Sequence, residues 1–83
     1  LGAERYAIYC TPCHGARGQG DGPVVARGFP APPALAADAS RVMTVIAANH
    51  AGAHPFDDRL PPRHRWAVAR HVEAMRADAA APP

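Results

Sequence analysis

Two thiols and an imidazole stand within one short run, Cys10-Thr11-Pro12-Cys13-His14. Thiolates and imidazoles are metal ligands, and the thiolate is also a nucleophile. The spacing selects among these chemistries. C-x-x-C-H is the pattern that attaches a c-type haem: the thiols add to the two porphyrin vinyl groups, and the two-residue spacer sets their separation along a helical turn. The histidine that follows then lies under the iron as its proximal ligand. A structural zinc site would need two more ligands, usually from a second C-x-x-C, and the chain has only these two cysteines. A thioredoxin-like pair belongs in a βαβ pattern, and no strand signal flanks the motif. The expected cofactor is one covalent haem c, bound through Cys10, Cys13 and His14.

The elements that must position these groups are helical. Residues 2–13 read as a short helix whose apolar face, Ala3, Tyr6, Ile8, Tyr9 and Cys10, delivers both cysteines. Residues 15–33 hold five of the chain's seven glycines and no periodicity, which predicts a loop wrapping closely around a cofactor. Val42, Val45 and Ile46 predict a second helix from about Ser40 to Asn49, with Ser40 or Asp38 as its N-cap. After Gly52 and Pro55 comes another loop, and Pro62 suits the first turn of a last helix running to about Asp78, with Val68, Val72, Met75 and Ala79 as its stripe. The domain spans 1–78, and the Ala/Pro-rich 79–83 is a tail or linker.

Helix, motif, glycine-rich wrap, middle helix, loop and last helix together resemble a class I cytochrome c over nearly the whole chain. The resemblance implies a small all-α fold around one covalent haem, with the first and last helices crossing where Gly2 or Tyr6 could meet His71. More narrowly, Tyr6-Ala7-Ile8-Tyr9-Cys10, Cys13-His14-Gly15, Gly28-Phe29-Pro30, Pro32-Pro33, Val45-Ile46 and Arg65-Trp66-Ala67-Val68 are similar to the monohaem cytochrome subunit of alternative complex III. That likeness implies a membrane-associated respiratory complex as partner.

In this family a methionine before a proline usually supplies the second axial ligand. Here the place reads Gly52-Ala53-His54-Pro55-Phe56, with histidine instead. Pro55 biases His54 toward an extended backbone, which suits a side chain projected from a loop. Met43, His50 and an open site are the alternatives, while Met75 reads as core and His64, between Arg63 and Arg65, as a solvated helix start. Two imidazoles would favour the ferric state and a low potential relative to His/Met. The resemblance also implies that the Gly22-Pro23 step accepts the proximal imidazole's other N–H. Arg27, Arg63 and Trp66 are candidates for the haem propionates.

The expected function is therefore one-electron transfer with no substrate transformed, as a carrier or as a subunit of a redox complex. The competing reading is a haem-based sensor or enzyme with a labile distal ligand, and a third is a haem-stapled structural adaptor. A single domain of 83 residues has a core of marginal size, and a tethered haem is the staple it needs. The net charge of +2, spread along the chain, argues for redox protein partners and against nucleic acid. No apolar run reaches the roughly 18 residues of a membrane span. Because such haems are attached outside the cytoplasmic membrane, the expected location is the periplasm or the periplasmic face of the membrane. The opening Leu1-Gly2-Ala3 and the Ala/Pro tail suit a piece of a longer, exported protein.

Overall fold

The computed structural model describes residues 1–47, 54 and 59–80. Its elements are α1 (Gly2–Tyr9), α2 (Thr11–His14), a 3-10 turn at Val25–Arg27, α3 (Ala39–Ala47) and α4 (Pro62–Ala80). Among the described residues there is no strand, so the all-α class read from the sequence holds. The single helix expected over 2–13 is broken at Cys10, which caps the end of α1 through its N–H to the Tyr6 carbonyl (2.9 Å) and begins α2. Pro12 lies in the first turn of α2, where a missing N–H costs nothing. The helix stops at Gly15, whose φ of +85° is strained for a residue bearing a Cβ.

Of the two cap candidates for α3, Asp38 has the role: its Oδ1 accepts from the N–H groups of Ser40 (3.0 Å) and Arg41 (3.2 Å). Glu73 of α4 accepts from the Ala39 N–H (3.3 Å) and pairs with Arg70 (3.1 Å), tying the start of α3 to the last helix. α4 begins at Pro62 as expected. It continues through Ala80, two residues into the expected tail, and residues 81–83 lie outside the described part.

The core is a seam between α1, α3 and α4. Tyr6, Ile46, Val68 and Val72 form its centre, with Cys10, Leu35, Val42 and Met75 packed around them. α1 crosses α4 where Gly2 lies directly under the Ala67 carbonyl and His71 Cβ. One turn on, the Tyr6 and His71 rings meet at 5.3 Å and 55°. Both residues expected at the crossing are there, with His71 as a packing side chain.

The crossing yields a prediction whose sign opposes helix propensity. Alanine is the better helix former by about 1 kcal/mol, yet a Cβ at Gly2 would run into the Ala67 backbone, which cannot move aside as a side chain could. Gly2→Ala should therefore destabilise by about 1–3 kcal/mol, seen as a lower thermal midpoint. An unchanged or raised midpoint would mean that the helices separate at no cost.

Candidate functional site

The Cys10-to-His14 motif is held from behind by the loop that follows it. The N–H groups of Gly20, Gly22 and Val24 donate to the carbonyls of His14 (2.8 Å), Cys13 (3.1 Å) and Pro12 (3.1 Å), so the loop folds back along the motif. Gly22 packs against the Pro12 and Cys13 backbone with no space for a side chain. From the core side, the buried Tyr6 hydroxyl donates to the Gly15 carbonyl at 2.7 Å. Burial, with the neighbouring Cys10 thiolate as second cause, pushes the Tyr6 hydroxyl up to about 12. The motif is thus fixed by main-chain bonds on one side and by a core tyrosine on the other.

In front of the motif is a cavity of about 940 Å³, at the upper end of the roughly 300–1,000 Å³ typical of ligand pockets. Cys10, Cys13 and His14 form one wall, α3 contributes Val42, Val45 and Ile46, and α4 contributes Val68 and Val72. The extended segment from Phe29 to Ala36 closes another side, and His54 stands on the cavity as well. The His14 and His54 rings are 6.3 Å apart between centroids and within 14° of parallel. That separation is too long for ring stacking. Both rings line the same cavity as the two cysteines.

The electrostatics agree with a ligand role for His14. Burial, and then the charge of a protonated His54, hold its pKa below the usual imidazole value, which favours the neutral form that binds metals. Its Nδ1 is buried without a hydrogen-bond partner. Burial, then the Cys13 charge, pushes the Cys10 thiol up to about 11. Two thiols and an adjacent imidazole on one largely apolar cavity are the donor set a covalently tethered haem requires, and the residues present fit that group.

The structure does not bring every expected residue to this cavity. Pro23 does not line it, and the orphaned His14 Nδ1 makes no bond to the Gly22-Pro23 step. That step acts instead through the Gly22 and Val24 amides on either side of Pro23, which hold the motif's carbonyls. Trp66 is 44% exposed and away from the cavity, as are the exposed Arg27 and Arg63. Met43 lies on α3 but off the cavity wall, Met75 packs on the core, and His50 lies outside the described residues.

Sequence reasoning passed over Arg41, the only arginine on the cavity wall among the described residues. The available signal was its place four residues before Val45, on the helical face that also carries Val42. Phe29 to Pro33 belong to the loop expected to wrap the cofactor, whereas the continuation of the wall through Ala34, Leu35 and Ala36 was unforeseen, since an aperiodic Ala/Pro stretch carries no signal for what it packs against.

No described helix is long and apolar enough to cross a membrane, and no curated protein or solved structure gives a significant match to the chain. The family model described as "Cytochrome C oxidase, cbb3-type, subunit III" matches residues 1–72. With most of the chain covered, the chain belongs to that family: it is a cytochrome c domain, an electron-transfer module with covalently bound haem c as its cofactor.

Proposed function

We propose that this domain is a bis-histidine, low-potential one-electron carrier in which His14 and His54 would hold the haem iron. The carrying observation is the pair of near-parallel imidazoles 6.3 Å apart across the cavity that holds both cysteines. Haem c, when bound, supplies a reversible one-electron couple between ferric and ferrous iron.

The chain's own residues do the rest. Cys10 and Cys13 fix the cofactor covalently, and the loop from Gly20 to Val24 holds their backbone still. His54 would help hold the iron and so keep small molecules from it, which separates a carrier from a sensor. Val42, Ile46, Val68 and Val72 keep water from the cavity floor, and Arg41 offers its guanidinium to the cofactor's carboxylates.

The partners are redox proteins of a membrane-associated respiratory complex on the periplasmic side. The family's description as an oxidase subunit supports this, as does the motif likeness to the alternative complex III cytochrome.

Low-temperature electron paramagnetic resonance of the ferric protein tests the ligand pair. The expected result is a low-spin bis-imidazole signal with no far-red sulfur-to-iron band. A low-spin signal with that band would replace His54 by a methionine, and a high-spin signal would move the reading to a sensor or enzyme. Attachment is tested separately: Cys10→Ala with Cys13→Ala should yield haem that acid acetone extracts completely, whereas wild-type haem should stay with the polypeptide.

A further inference from the structure

One side chain of α4 reaches far back along the chain to hold a loop by both of its ends. Arg76 donates from Nε to the Leu35 carbonyl and from Nη1 to the Arg17 carbonyl, each at 2.9 Å. The stretch between those carbonyls closes on itself through the Leu35 N–H to the Gly18 carbonyl (2.8 Å). A Cβ at Gly18 would sit within 3.1–3.2 Å of Leu35 Cδ1, Met75 Cε and Arg76 Cδ, so the base of the loop is packed on the arginine's own stem.

The loop's two halves are secured unequally. Gly20, Gly22 and Val24 are bonded along the motif, as described above. Phe29 to Leu35, the half that walls the cavity, is bonded at Phe29 to the Val24 carbonyl (3.2 Å) and next at Leu35. Among the described residues no main-chain bond ties 30–34, and three of those five are prolines with no N–H to give. The main-chain bonds of this wall are therefore at its ends, and between them its one close backbone approach among the glycines is the Pro32 carbonyl against Gly20, a packing contact and not a bond.

We propose that Arg76 is a positioning residue, a latch that holds the Phe29-to-Leu35 wall closed on the cavity and thereby sets the cofactor's exposure to water and its reduction potential. This rests on the haem reading above. The chemistry suits arginine in particular: a rigid planar fork can satisfy two carbonyls at once, while a lysine ammonium on a flexible stem cannot reproduce that geometry. A charged donor also makes the stronger bond, and the one to Leu35 is partly shielded from solvent. With the latch gone, water reaches the cofactor and the more highly charged ferric state gains, so the potential falls.

The test combines residue-level hydrogen exchange with potentiometry on the haem-bearing protein, using Arg76→Met, Arg76→Lys and, as a control on the same helix, Arg70→Met. In Arg76→Met the Leu35 amide should exchange about tenfold to a hundredfold faster, and the potential should shift downward. Arg76→Lys keeps the charge but loses the fork, and it should fall between wild type and Arg76→Met in both measurements. Arg70→Met should leave both unchanged, because Arg70 touches neither carbonyl.

Unaltered Leu35 exchange in Arg76→Met would overturn the latch. So would a wild-type potential in Arg76→Lys beside a lowered one in Arg76→Met, which would assign the effect to charge alone. If Arg76→Met does not accumulate, Arg76→Lys against Arg70→Met decides the matter. A pyridine haemochrome assay of the wild type separates the two levels: lack of thioether-bound haem would sink the functional reading, while the exchange measurements would still judge the latch.

Discussion

His54→Met should raise the reduction potential by on the order of 0.1 V, within the ~0.8 V span that axial ligands command, and should bring in the far-red sulfur-to-iron band. A thioether donates less to ferric iron than imidazole does, so the reduced state gains. His54→Ala should go further, giving high-spin ferric iron that binds added imidazole and recovers the wild-type spectrum. The reason is geometric: the His54 and His14 rings line one cavity, 6.3 Å apart and within 14° of parallel. Met43→Leu should change neither spectrum nor potential, because Met43 is off the cavity wall. If His54→Ala stayed low-spin at the wild-type potential, the assignment of His54 would be wrong.

Tyr6 is the side chain whose loss should cost the fold most. It is 2% exposed, belongs to the core cluster, lines the cavity, contacts His71 and donates to Gly15 beside the proximal histidine. Tyr6→Ala should cost about 3–5 kcal/mol, a large share of the roughly 5–15 kcal/mol by which domains are stable. Tyr6→Phe keeps the ring and removes only the bond to Gly15, so it should cost about 1 kcal/mol.

The two forms should also differ in alkali. The hydroxyl's pKa is 10.0 in an unperturbed tyrosine and about 12 in the fold, so the native state holds its proton more tightly. Its contribution is complete below the lower value and is lost as pH rises toward the higher one. Denaturant unfolding should therefore show wild type losing more stability than Tyr6→Phe across that window. Parallel losses would mean that the buried hydroxyl is not the group that titrates.

The features legible in the sequence share a physical character: they are local. The spacing of Cys10, Cys13 and His14 names a cofactor because one helical turn suffices to fix it. Asp38 and Pro62 mark helix starts because a cap bonds to amides two and three residues away and a first-turn proline needs no donor. Val42 with Ile46, and Val68 with Val72, announced buried faces because 3.6-residue periodicity survives without knowledge of what covers them.

What the sequence left open was settled by contacts between residues distant along the chain. Trp66 looked like a cofactor contact, but it sits about 200° around α4 from Val68, and packing of the valine face against α1 and α3 turned the indole outward. Pro23 was assigned to the imidazole, yet its neighbouring amides hold the motif's carbonyls. Arg41 on the wall and Arg76 across the loop went unmarked, since an arginine's partner carries no trace at the arginine's own position. By itself the sequence determined the cofactor, the helices and their buried faces, because backbone geometry over a few residues dictates them. Only the tertiary structure decided which side chains face the cavity, how the two imidazoles oppose each other and what holds the loop shut, because each depends on which surfaces meet when the chain closes.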